Sequence, residues 1–206
     1  MDIRSFSTFL RQRKLALFSV GDIEILMPSA TRTGLSLRLH QWRNKGWISR
    51  IKRGLYRLDY PEPPVIADLY LANRIYEPSY VSLETALSHY QILPEFSAQV
   101  TSVTSKPTRR FTSAHGLFTY LTIRSSAYAG YRVIRLQGWP VRMAEPEKAV
   151  VDRLYVALRK GENLVEVEDR WDRAQIRKMN SKKLMGYAAL FKSAEKKIQE
   201  ALDAFL

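Results

Sequence analysis

Ile3, Phe6, Phe9 and Leu10 recur at three- to four-residue spacing, which lays one apolar stripe along a first helix that also carries Arg11, Arg13 and Lys14. Ser19 is followed three residues later by Asp22, a pairing that satisfies orphan amide protons at a helix start. A short helix holding Ile23 and Leu26 is therefore expected there, closed by Pro28. A third helix is predicted from about Ser29 or Thr31 to Lys45, with Leu35, Leu39 and Trp42 on its buried side and Gly46 in the left-handed position that ends it. Next come a strand over 48–51, a turn at Lys52-Arg53-Gly54 and a strand over 55–58. Ile48 and Leu55 or Tyr56 would anchor this hairpin to the core. The alternation along it is imperfect and leaves its register open.

Helix, short helix, longer helix and hairpin, in that order, make a winged helix-turn-helix. In such a module the third helix enters a major groove about 12 Å wide and the hairpin lies over the neighbouring backbone. With Leu35, Leu39 and Trp42 turned inward, Thr31, Arg32, Thr33, Ser36, His40 and Arg43 point outward. Hydroxyl, guanidinium and imidazole groups donate to phosphates and to purine edges. Arg50, Lys52 and Arg53 on the hairpin would meet phosphate. Single-strand binders need exposed aromatic platforms, whereas Trp42 and Trp47 read as core residues, so duplex DNA is the favoured partner.

Tyr60-Pro-Glu-Pro-Pro64 fixes backbone angles and removes amide donors, so neither helix nor inner strand runs through it. The boundary placed there gives a winged helix over 1–60 and an α/β domain over 65–206, with a helical tail from about residue 164. The fold class is α+β. In the second part, 80–90 reads as a strand end and a helix capped by Ser82, with Leu83, Leu87 and Tyr90 on one side. Residues 98–104 and 117–123 read as strands, and 131–143 as a hairpin turning at Gln137-Gly138. Pro146 opens a helix. Leu184, Ala188, Phe191, Ile198 and Leu202 mark helical spacing near the C-terminus.

Charge sharpens this division. Residues 1–60 carry twelve Lys/Arg against four Asp/Glu, residues 61–150 nine against seven, and residues 151–206 twelve against nine. The net charge of +13 favours a polyanionic partner, and the surplus sits where the winged helix is predicted. No acid stands between Glu24 and Asp59. With no cysteine, disulfides, thiolate metal sites and cysteine nucleophiles are excluded. No apolar run approaches the ~18 residues a membrane-spanning helix needs, and the first residues lack a signal-peptide pattern, so the cytoplasm is the expected location.

Enzyme signatures are missing: there is no G-x-S-x-G elbow, phosphate-binding glycine loop or H-E-x-x-H. Glu145, Glu147, Lys148 and Asp152 could form half of a metal-dependent nuclease site, but their spacing departs from the usual acid, one residue, lysine arrangement. The plainer expectation places the acids at 145 and 147 near the positive end of a helix dipole, with Asp152 and Arg153 on a solvated or paired face. His115 beside Gly116 reads as a hairpin-turn residue. No catalytic residue, metal or cofactor is expected.

Residues 18–58, with GW at 46–47 leading into RIKRGLYRL, followed by YVSLETALSHYQILPE at 80–95 and MAEPEKAVVDRLY at 143–155, resemble the AbiEi antitoxins of bacterial abortive-infection systems. The likeness runs from about residue 5 to 160. Glu145 departs from the family, which tends to have a small hydroxyl residue before Pro-Glu-Lys, and the departure should alter a helix cap rather than the fold. The resemblance implies an antitoxin that binds inverted repeats in its own promoter, represses its operon and counters a nucleotidyltransferase-like toxin, usually without a stable complex. Two rivals remain at this level: a nucleic-acid-processing enzyme with a metal-dependent C-terminal domain, and an interaction module that does not bind DNA.

Overall fold

A computed structural model describes residues 2–13, 15–26, 31–95 and 97–203. Lys14, Pro28 and Ser29 lie outside them, as does the side chain of Leu26. The chain divides into two compact units, Met1–Ala67 and Asp68–Leu206.

The first unit runs α1 (Ile3–Gln12), β1 (Leu17–Ser19), α2 (Val20–Leu26), α3 (Arg32–Asn44), β2 (Ile48–Lys52) and β3 (Leu55–Leu58). Its core is the set the periodicity selects: Ile3, Phe6 and Leu10 of α1 meet Ile23 and the α3 residues Leu35, Leu39 and Trp42. Phe6 packs edge-on to Phe18, with ring centroids 5.3 Å apart, and lies 4.8 Å from Trp42. The capping pair forms reciprocally: Asp22 N–H donates to Ser19 Oγ at 3.0 Å, and Ser19 N–H to Asp22 Oδ2 at 2.8 Å. Strand β1, which the sequence reading passed over, lies antiparallel to β3 and completes a three-stranded sheet in the order β1-β3-β2. This is a winged helix-turn-helix with its full complement of strands.

The segment after β3 is held to α1. Ser7 Oγ donates to the Tyr60 carbonyl at 3.0 Å, and Arg11 Nη2 reaches the carbonyls of Tyr60 and Glu62. Arg13 caps α1 rather than lying within it.

In the second unit a six-stranded mixed sheet has the order β6-β7-β5-β4-β9-β8. Its strands are β4 (Ser79–Val81), β5 (Gln99–Thr104), β6 (Arg109–Ser113), β7 (Gly116–Thr122), β8 (Tyr131–Leu136) and β9 (Trp139–Ala144). Its helices are α4 (Asp68–Ile75), α5 (Leu83–His89), α6 (Pro146–Lys160), α7 (Leu164–Glu168), α8 (Arg173–Arg177), α9 (Ser181–Ala189) and α10 (Glu195–Asp203). Gln137 and Gly138, at φ 50° and 83°, make the expected two-residue turn between β8 and β9. His115 occupies the turn between β6 and β7.

The α6 helix is buried from Glu147 to Ala157, and the tail folds back onto it. Tyr155 and Phe191 lie 4.2 Å apart, and Leu184, Ala188, Ile198 and Leu202 are buried. The helices after Asn180 thus pack on their own unit, and the α+β class holds. Among the described residues no helix is long and apolar enough to cross a membrane.

Candidate nucleic-acid interface

Thr31 is the N-cap of α3, and its hydroxyl oxygen accepts from Gly34 N–H at 3.3 Å. A Cβ on residue 34 would stand 3.0 Å from that oxygen, so glycine leaves the cap undisturbed. The other end closes as a Schellman motif. Trp47 N–H donates to the Trp42 carbonyl at 2.9 Å and Gly46 N–H to Arg43 at 3.0 Å, with Gly46 at φ 69°. This closure carries the chain into β2 through only three residues, Lys45, Gly46 and Trp47.

The α3 positions singled out from sequence are all exposed: Thr31, Arg32, Thr33, Ser36, His40 and Arg43. They differ in what they do. Arg32 Nε pairs with Glu24 Oε1 of α2 at 3.4 Å. His40 is held on both ring nitrogens, with Arg43 Nη2 3.3 Å from Nδ1 and Asn44 Nδ2 3.2 Å from Nε2. A guanidinium can only donate, so in the Arg43 contact Nδ1 is the acceptor.

At about 3.6 residues per turn, the direction opposite Leu35, Leu39 and Trp42 falls on Thr33, Leu37, His40 and Asn44, with Gln41 beside them. All five are exposed. Leu37, Gln41 and Asn44 carry neither a charge nor a hydroxyl, so charge and hydroxyl chemistry alone do not single them out, whereas helical spacing does.

In the hairpin, Arg50 pairs with Tyr56 and Lys52 with Leu55, which leaves Ile51 as an extra residue. This bulge is why the alternation was imperfect. Ile48 and Leu55 are buried while Tyr56 is half-buried, so Leu55 is the stronger anchor. Arg53 and Gly54 form the tip, with Gly54 at φ 82°. Arg50 and Arg53 are exposed and Lys52 is half-buried. Arg57 is tied to Asp59 at 2.6 Å. Trp42 is buried and Trp47 packs against the core and Tyr60, so neither offers a stacking platform.

The acids considered for metal chemistry do not converge. Asp152, expected on a solvated or paired face, is fully buried. It pairs with equally buried Lys148 and accepts from Tyr80 at 3.0 Å and Ser82 at 2.8 Å. Burial pushes the Lys148 ammonium down and the Asp152 carboxyl up, and their mutual attraction opposes both shifts.

Arg153 is buried too, between Glu84 at 2.8 Å and Glu162 at 2.6 Å. Ser82 stands at the N-cap of α5 as expected, but its hydroxyl makes no cap bond because Asp152 takes it. Glu145 likewise leaves the α6 N-terminus uncapped: its carboxylate accepts from Lys183 at 2.6 Å and Tyr187 at 2.9 Å. Glu147 accepts from Asn180 N–H. Among the described residues no group of three His, Asp or Glu side chains is placed to hold a metal ion.

Residues 7–58 match a family model described as "Transcriptional regulator, AbiEi antitoxin". The N-terminal unit thus resembles the regulator domain that this model describes. The AbiEi match ends at Leu58, the last residue of β3, so it spans α1 to the wing. Comparison of the whole chain with curated protein sequences gives no match. Among solved structures, the crystal structure of the RV2827C protein from Mycobacterium tuberculosis has the same fold at 10% identity and a TM-score of 0.55. The similarity covers 96% of this chain and 74% of that one.

The stretches 80–95 and 143–155 meet in space: Tyr80 and Ser82 come from one, Lys148 and Asp152 from the other. Within this structure they build a buried polar junction between β4, α5 and α6.

Proposed function

We propose that this AbiEi-type chain binds duplex DNA through α3 and the β2–β3 wing, represses its own operon in the cytoplasm, and acts as antitoxin to a nucleotidyltransferase-like toxin encoded beside it. One observation carries the DNA reading: α3 offers an exposed, carboxylate-free face, polar around Leu37, that passes through a three-residue turn into a hairpin carrying Arg50, Lys52 and Arg53. In this reading the wing cations meet phosphates and set affinity. Arg32, Thr33, Ser36, His40 and Arg43 face the groove, and Thr31 keeps its hydroxyl proton for a phosphate while capping the helix. Two copies would place their α3 helices about 34 Å apart on inverted half-sites.

The family description supports the regulator role. The toxin pairing rests on the resemblance of the second unit. Its test is genetic: the chain restores growth to cells expressing the neighbouring gene, and a copurification of the two products decides between direct and indirect neutralisation.

The enzyme reading requires divalent-metal-dependent loss of nucleic acid that Glu147→Gln abolishes. Nothing in the arrangement of Glu145, Glu147 and Asp152 favours it, since each points to a different protein partner. A gel shift with the DNA upstream of the gene tests the repressor reading, and the absence of a sequence-specific shift overturns it.

A further inference from the structure

We propose that Leu37 is a specificity-determining residue of the α3 surface and reads the C5-methyl group of a thymine in the operator half-site. The inference rests on the DNA-binding reading above and names what that surface recognises. Leu37 is 61% exposed on a helix whose other leucines, Leu35 and Leu39, are buried in the core. It lies at the centre of the outward face, one turn from Thr33 on one side and from Gln41 on the other. That is where a recognition helix is deepest in the groove, and water gains nothing from a leucine there.

The major-groove edges of the four base pairs differ in their hydrogen-bonding groups, and thymine alone adds an apolar methyl. A leucine side chain can bury that methyl and cannot satisfy a cytosine amino group or a guanine carbonyl, so it selects by attraction and by exclusion. Gln41 follows at the i+4 position with an amide suited to adenine N6 and N7. A half-site containing adjacent A·T pairs fits both.

Among the described side chains of α2 and α3, Ile25 of α2, 79% exposed, is the other large apolar one open to solvent. The competing use of the pair is self-association, and the experiment separates the two.

The full chain is used to select binders from a random-sequence duplex pool, and each thymine of the enriched half-site is then replaced singly by uracil, which removes only the methyl. One replacement should weaken binding about fourfold, the worth of one buried methyl group. Leu37→Ala should bind the thymine and uracil duplexes alike, and Leu37→Met, which keeps an apolar tip, should retain part of the difference.

An enriched site with no uracil-sensitive thymine overturns the proposal and leaves the DNA-binding reading standing. So does a Leu37→Ala variant that keeps the wild-type thymine-to-uracil ratio, or one whose sedimentation shows a lost dimer while that ratio persists. Failure to enrich any sequence overturns both readings together.

Discussion

Arg32 Nε lies 3.4 Å from Glu24 Oε1, so the first residue of α3 is tied to α2 by a carboxylate at the edge of a surface that presents cations, neutral polar groups and the side chain of Leu37. The Arg32 side chain is 82% exposed, and an ion pair so open to solvent contributes at most about 1 kcal/mol. A phosphate arriving at Arg32 has to compete with Glu24. Glu24→Gln should therefore tighten duplex binding roughly two- to fivefold at low salt, with the gain fading as salt rises. Fluorescence anisotropy with labelled duplex reads this. Weaker binding would mean that Glu24 positions Arg32 rather than competing for it.

The wing predicts a different signature. Phosphate contacts are blind to sequence, and each one lost reduces the slope of log K against log salt by about 0.9. Lys52→Ala and Arg53→Ala should weaken specific and random duplexes alike and flatten the salt dependence by roughly one contact each. Unchanged binding across a salt series would remove these side chains from the interface.

How much of this could be read from the chain depends on the range of the interaction. The three N-terminal helices were legible because helix periodicity and local capping are short-range: Ser19 with Asp22, and Gly46 after Lys45, appear as their spacing implies. Strand β1 escaped because three residues carry no alternation, and the hairpin register escaped because Ile51 bulges. Strand β6 escaped because RRFTS is a largely exposed edge strand. Ser82 shows the limit most clearly. A local rule assigned its hydroxyl to its own helix, while a carboxylate seventy residues away claims it. Leu37 was passed over for a different reason, since an exposed leucine carries no hydrogen-bonding chemistry to look for.

Gly46 joins the candidate reading helix to the wing at φ 69°, with open space around the position a Cβ would take. Gly46→Ala should accordingly cost only the left-handed backbone penalty, about 1 kcal/mol, and Gly46→Asn less. Urea titration of the chain measures both. A loss of several kcal/mol would show that the Schellman closure has neighbours the static structure hides.

The buried Lys148–Asp152 pair makes a larger claim on stability. Lys148→Met strands a buried carboxylate with only the Tyr80 and Ser82 hydroxyls for support and should destabilise the second unit by about 3–5 kcal/mol. Adding Asp152→Leu should recover part of that loss, because no charge is then left unpaired. A double-mutant cycle by calorimetry tests the coupling, and strictly additive effects would contradict it.

Glu168 gives the second unit a pH dependence. Burial is the main cause, with the Asp169 charge second, that pushes its carboxyl up to about 7, and its Oε1 has no hydrogen-bond partner among the described residues. The folded form therefore holds a proton that the unfolded form releases near its ordinary value of about 4.3. Stability should fall as pH rises from there through about 7. Glu168→Gln should raise the melting temperature at pH 8 by a few degrees and leave it nearly unchanged at pH 4. Equal shifts at both pH values would assign the effect to packing.

The central claim is that α3 and its wing form a sequence-specific duplex-binding surface. The most direct measurement is a gel shift of the full chain on the DNA upstream of its gene, with unlabelled upstream and random duplexes as competitors. A shift that upstream DNA displaces and random DNA does not, and that the combined Arg32→Ala and Arg43→Ala substitutions abolish, is the predicted result. A shift that both competitors displace equally, or none at all, contradicts it.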